Sequence, residues 1–145
     1  MSDLYLALGL IVIAINLLAG LVGAVTWQTH RVSMSFWYLL RAGQLATVIF
    51  VIAECVLYAA GHRSDDGLHY LYVFLPVVAS FLGEGMRGAS ASQELGDTDF
   101  KSLPEEEQQE VAMAIVRRET GVMTVAALVI AFLIWRAIET TTGMF

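Results

Sequence analysis

The chain has 145 residues, of which 57% are apolar and 15% charged, and its net charge at pH 7 is −6. A soluble protein of this size could not bury so much apolar surface, whereas a lipid bilayer would cover it. The negative charge argues against nucleic acid as a partner, and the single cysteine, Cys55, excludes a disulfide within these residues and a cysteine-based zinc site.

Four stretches are long and apolar enough to predict transmembrane helices: residues 4–25, 36–60, 68–86 and 121–138. A span needs about 20 mostly apolar residues, and its backbone polar groups must pair within a helix because lipid offers them no partner. The predicted fold is therefore all-α, a single polytopic integral membrane domain with four transmembrane helices in an antiparallel bundle. The first stretch has no basic flank and is too long for a signal-peptide core, so we expect it to be retained.

The three connections differ in character. Residues 26–35 are few and polar, and residues 61–67 form a turn with glycine at both ends, which favours a helical hairpin of spans two and three. The third connection, residues 87–120, is a long acidic segment that we expect to be helical and cytoplasmic. In it we predict a break at 96–99, then a helix N-capped by Ser102 that runs without interruption into the fourth span.

The basic residues predict the orientation. Six of them belong to the first and third connections and the adjoining span ends: Arg31, Arg41, Arg87, Lys101, Arg117 and Arg118. Arg63 and Arg136 belong to the opposite side. By the positive-inside rule, we expect a multi-pass protein of the cell (plasma or inner) membrane with both termini outside.

Ionisable groups within spans are the first functional candidates, because placing them in a membrane costs free energy. Arg41 and Glu84 are predicted at a similar shallow depth, where they form either a polar cavity or an interhelical ion pair. Arg87, one turn after Glu84, is an alternative partner for that carboxylate.

Two further polar residues lie deeper in the predicted spans. Glu54 has no basic residue one turn away, so it is either a proton or cation site or a carboxyl group bonded to another helix. Asn16 is predicted to hydrogen-bond across helices. Small residues four positions apart, Ala19 with Gly23 and Gly20 with Ala24, indicate that span one packs tightly.

Two polar sets lie in the connections. His62, Asp65, Asp66 and His69, in or beside the second connection, carry metal-ligand chemistry, but a solvated turn is the favoured interpretation. A haem held by His62 and His69 is less favoured still, and the cofactor remains unknown. The acidic residues of the third connection form either a docking surface for a basic partner or a solvated helix face: Asp97, Asp99, Glu105, Glu106, Glu107 and Glu110.

No nucleophile motif, metalloprotease motif or phosphate-binding glycine loop is present, which argues against an enzyme. We expect a non-enzymatic accessory, assembly or interaction subunit of a larger or self-associating membrane complex. Its partners are then the lipid bilayer and other membrane chains or further copies. One alternative is a small oligomeric transporter or channel that uses Glu54 with Arg41 and Glu84; a second is a metal- or haem-binding membrane redox protein.

Overall fold

A computed structural model of the chain describes residues 2–141, which are all-helical apart from their connections. The long helices are α1 (Ser2–Thr29), α2 (Met34–Ala59), α3 (Gly67–Gly88) and α5 (Glu105–Glu139), with a short α4 (Ser90–Leu95) and a 3-10 turn (Phe100–Ser102) between the last two. The four long helices coincide with the predicted stretches and are long and apolar enough to cross a membrane. Met1 and residues 142–145, the predicted outer termini, lie outside the described part.

The buried residues of the helices recur three and four positions apart. In α2 they are Phe36, Leu40, Gly43, Thr47, Phe50 and Glu54; in α3 they are His69, Val73, Pro76 and Gly83. A period of 3.5 residues puts such positions on one stripe of the helix, which faces the neighbouring helices. The stripes therefore carry polar groups, Glu54 and His69 among them, into the middle of the bundle.

The four long helices are not packed equally. α5 packs along both α1 and α3, and α1 also packs along α2, whereas α2 touches α3 and α5 only sparingly. The order around the bundle is therefore α2, α1, α5, α3, and the seam between α2 and α3 is its loosest part. Two crevices lie in this seam.

Side chains of neighbouring helices fill the space beside the glycines of α1. A Cβ atom on Gly23 would lie 2.2 Å from Thr124 Oγ1 and 2.6 Å from Phe36 Cε2. A Cβ atom on Gly20 would lie 2.4 Å from Leu128 Cδ2. The prediction that span one packs tightly is confirmed, because α1 contacts α2 and α5 through these small residues.

The predicted break after α4 is confirmed. The helix ends at Leu95, and Gly96 follows with a φ of 55°, a backbone conformation that favours glycine. Asp97, Thr98 and Asp99 then lead into the 3-10 turn.

The predicted capping of α5 by Ser102 is wrong. The Ser102 hydroxyl donates to the carbonyl of Asp99 at 2.6 Å, and α5 begins only at Glu105, with no side-chain cap on its first turn. Leu103 is extended (φ −75°, ψ 148°) because a residue before proline, here Pro104, is disfavoured in the helical region. From Glu105 the helix runs to Glu139 without interruption, as predicted.

Candidate functional site

The most deeply buried acidic group among residues 2–141 is on α2, and it contacts a buried histidine on α3. The Glu54 side chain is 3% exposed and the His69 side chain 0%. Glu54 Oε1 lies 2.6 Å from His69 Nε2 and accepts a hydrogen bond of 3.1 Å from the Tyr5 hydroxyl. Tyr5, Glu54 and His69, called here the Glu54 cluster, come from α1, α2 and α3, so one carboxyl group ties three helices together.

The other side of the His69 ring fixes its tautomer. Nδ1 lies 3.0 Å from the carbonyl oxygen of Ala137 and 3.2 Å from Thr140 Oγ1, both at the end of α5. A carbonyl oxygen only accepts, so Nδ1 carries a hydrogen. The contact between Nε2 and Glu54 then needs one proton, held either as imidazolium with carboxylate or as imidazole with carboxylic acid.

The expectation that His69 belongs with the solvated turn is therefore wrong. It lies in the first turn of α3, on the same side of the helix as the buried residues Val73 and Pro76, and its side chain is fully buried. The place of His69 beside the connection suggested a turn residue. Its spacing from the other buried residues of α3, three or four positions apart, instead directs the ring inward.

The second oxygen of Glu54 is not satisfied in the same way. Oε2 is buried and has no hydrogen-bond partner among residues 2–141. Glu54 also lines a crevice of about 260 Å³ in the seam between α2 and α3, together with Cys55, Tyr58, Tyr70, Val73 and Phe74. A recess of this size has room for water or a small cation, since one water takes about 30 Å³.

The connection between α2 and α3 closes this end of the bundle. The Ser64 backbone N–H donates to the Tyr70 hydroxyl at 3.1 Å, and the Ser64 hydroxyl donates to the carbonyl of Thr140 at 2.6 Å. The Arg63 guanidinium lies 4.5 Å from the centre of the Tyr58 ring. The crevice beside Glu54 is thus bordered by the aromatic rings of Tyr58 and Tyr70, and Arg63 lies against the first of them.

The four residues considered as metal ligands are not brought together. Asp66 caps α3 by accepting from the backbone N–H of Leu68 at 2.9 Å, and His62 and Asp65 lie in the connection before it. Within residues 2–141, no group of three or more His, Cys, Asp and Glu side chains is arranged to hold a metal ion. Both ring nitrogens of His69 contact protein groups, which leaves neither open to a haem iron.

A second polar network lies at the opposite end of the same seam. Glu84 Oε1 accepts from Arg41 Nη1 at 2.6 Å and from Gln44 Nε2 at 2.9 Å, while Glu84 Oε2 accepts from Arg87 Nε at 2.8 Å. The structure thus brings Arg41, Glu84 and Arg87 together. Both carboxylate oxygens are satisfied, and the Arg41 side chain is 53% exposed, so the geometry is that of a partly exposed ion-pair network.

Asn16 lies at the contact between α1 and α2. Its amide donates to the carbonyl of Val12 at 2.9 Å and approaches that of Gly43 at 3.5 Å. A Cβ atom on Gly43 would lie 2.9 Å from Asn16 Oδ1. The missing side chain at position 43 therefore makes room for the buried amide.

The acidic residues of the third connection lie on the surface. Asp97, Asp99, Glu105, Glu106, Glu107 and Glu110 are all exposed. Asp99 accepts from the backbone N–H of Lys101 at 3.1 Å, and Glu105, Glu106 and Glu107 occupy the first turn of α5, where the helix dipole favours negative charge. These local roles account for four of the six residues.

Sequence reasoning missed Tyr5 and separated His69 from Glu54. The pattern that could have brought them together is the spacing of the buried residues along α1, α2 and α3. It places Tyr5, Glu54 and His69 on the inward side of their helices. No protein-family model, curated protein or solved structure matches this chain.

Proposed function

We propose that this chain is an integral membrane protein whose four long helices cross a plasma or inner membrane as an antiparallel bundle, with the first and third connections cytoplasmic and both termini outside. The length and apolar character of the helices support insertion. The excess of basic residues in the first and third connections supports the orientation.

Cysteine labelling in intact cells tests the orientation. With Cys55→Ser as background, we expect Asp65→Cys to react with a membrane-impermeant maleimide before lysis and Asp97→Cys only after it. The reverse pattern would overturn the orientation, and equal labelling of both would overturn a single topology.

Within that bundle, the Glu54 cluster serves as the proton- or cation-binding site of a small transporter. The observation that carries this proposal is the Glu54 carboxyl group, buried with one oxygen lacking a partner and bordering a crevice large enough for water or a cation. Ionisable groups inside membranes commonly mark ion and proton pathways.

A change in the net charge of the Glu54 cluster would drive the opening of the seam between α2 and α3. With one shared proton, Glu54 and His69 are together neutral. Gaining a second proton or losing the first leaves a net buried charge, which is costly without a compensating partner. The seam between α2 and α3 is the loosest in the bundle, so its opening is the movement that would bring water to the charged cluster.

The apolar layer between the two ends of the seam favours a transporter over an open channel. Phe50 and Val73, both fully buried, lie between the Glu54 cluster and the Arg41–Glu84 network at the other end of the seam. This apolar layer separates the two polar ends, so a proton or ion bound at Glu54 crosses only if the helices rearrange.

Flux in proteoliposomes tests the proposal. With an entrapped pH-sensitive dye and an imposed pH or cation gradient, we expect flux from the wild-type protein and its loss in Glu54→Gln. The control variant Glu110→Gln changes an exposed carboxylate on α5 and should retain flux. Absence of wild-type flux across a range of ions and pH would overturn the transporter.

A second candidate is the accessory or self-associating membrane subunit. It is favoured by the exposed edge of the Arg41–Glu84 network, since polar groups in a membrane face protein or water rather than lipid. A second chain packed against the seam would cover Arg41. Purification in mild detergent tests this: an oligomer or a co-purifying chain is expected, and a lone monomer would overturn it.

A further inference from the structure

An apolar groove runs between α3 and α5, far from the Glu54 cluster. Its volume is about 710 Å³, within the usual range of about 300–1,000 Å³ for ligand sites. Its floor includes the small residues Ala79, Gly83 and Ala126, and its walls include Leu82, Val125 and Val129. The small residues leave space between the two helices, and these six lining residues are all apolar or glycine.

The groove ends at Trp27, beside a second pocket of about 250 Å³. Trp27 and Arg117 line both cavities, and His30 and Arg31 line the second. An apolar cavity thus continues into a basic one, with an indole ring at the boundary.

Two of these cations have no internal counter-charge. Neither Arg31 nor Arg117 forms an ion pair with any residue between 2 and 141. Arg118, by contrast, is paired with Glu94 of α4 at 3.0 Å, and that pair lies at the rim of the groove. Arg31 and Arg117 therefore present positive charge to a ligand, while the one carboxylate at the rim is already neutralised.

We propose that this site binds an anionic phospholipid, with one acyl chain in the groove between α3 and α5 and the phosphate held by Arg31 and Arg117. The shape fits the chain and the charge fits the headgroup, and basic pockets between transmembrane helices are known sites for anionic headgroups. Trp27 at the boundary suits an interfacial aromatic ring. The inference rests on the proposed membrane location but not on the proton site, and in that orientation the lipid comes from the anionic cytoplasmic leaflet.

Quenching of Trp27 fluorescence tests this binding. The full chain with Trp37→Phe and Trp135→Phe keeps Trp27 as its single tryptophan. It is reconstituted in phosphatidylcholine vesicles containing a small fraction of lipid brominated on its chains, either phosphatidylglycerol or phosphatidylcholine. We expect the anionic lipid to be preferred by about 25-fold, since each of the two arginines near the headgroup is worth about fivefold.

Three variants in that background locate the site. Replacing both cations, Arg31→Gln with Arg117→Gln, should reduce the preference for phosphatidylglycerol to near one. Val125→Phe should also remove it, by filling the groove; Val125 is 57% exposed, so the larger ring can be added without disturbing packed residues. Arg63→Gln, a cation at the other end of the bundle, should leave the preference unchanged.

The outcomes separate this inference from the proposals above. Equal quenching by the two lipids, or a preference that survives both the arginine and the Val125→Phe variants, would overturn the lipid site. No quenching by either lipid would overturn the membrane location itself. A selective Trp27 signal in the Glu54→Gln variant would support the lipid site whether or not flux is lost.

Discussion

Replacing Glu54 by leucine should destabilise the protein by about 2–3 kcal/mol. Leucine has a similar volume but cannot accept from Tyr5 or bond to His69 Nε2, and each buried polar group that loses its partner costs about 1–3 kcal/mol. Interhelical hydrogen bonds in membrane proteins average about 0.6 kcal/mol and reach about 1.7 kcal/mol. Two such bonds contribute about 1.2 to 3.4 kcal/mol, and the expected loss lies within these limits.

Replacing Glu54 by glutamine should cost less than about 1 kcal/mol, because the amide replaces both bonds. Its oxygen can accept from the Tyr5 hydroxyl. Its NH₂ group can donate to His69 Nε2, which is bare in the neutral ring since Nδ1 carries the hydrogen that faces Ala137 O, 3.0 Å away. The contrast between leucine and glutamine thus isolates hydrogen bonding from volume.

The assay is reversible unfolding in mixed micelles by titration with a denaturing detergent, followed by circular dichroism. Glu110→Leu, at an exposed site on α5, is the control and should change the free energy of unfolding by less than about 0.5 kcal/mol. A Glu54→Leu protein as stable as wild type would refute the cluster as a structural tie. A glutamine variant as unstable as the leucine variant would refute the argument that the amide bonds to a neutral His69 ring. That result would mean that His69 is an imidazolium, which needs the carboxylate of Glu54 beside it.

Two further predictions concern packing and the second polar network. Gly23→Ala should destabilise the bundle by about 1–3 kcal/mol, because the new Cβ meets the buried Phe36 ring, whereas Gly85→Ala has nothing within 4 Å and should be neutral or slightly stabilising in the same unfolding assay. Glu84→Leu should be more destabilising than Arg41→Leu, because the carboxylate serves three donors and the half-exposed guanidinium serves fewer; equal losses would contradict this ranking.

The positions of the long helices could be predicted from the sequence because hydropathy over a window as long as a span is a strong signal. The break at Gly96 was predictable for a similar reason, since glycine with neighbouring aspartates is a local turn signal. The start of α5 was not, because two local preferences compete there. Ser102 is a good N-cap by composition, but Pro104 forces Leu103 out of the helical region and moves the start to Glu105.

The Glu54 cluster could be predicted only in part. That Glu54 needs a partner follows from the cost of an unpaired carboxyl group in a membrane. Which residue supplies it depends on how α1, α2 and α3 are rotated about their axes, a property of the whole bundle. The buried stripe of α3 does point to His69, but a helix register is informative only once the neighbouring helices are known.

The length of α5 has a mechanical consequence. Its 35 residues form a rod of about 52 Å at 1.5 Å per residue, and a continuous helix resists bending. One end carries the exposed carboxylates Glu105, Glu106 and Glu107, and the other supplies the Ala137 carbonyl that holds the His69 ring. A partner that turned or tilted the acidic end would therefore also move the other end of α5. Because the helix is continuous between the two ends, the displacement would reach the His69 ring.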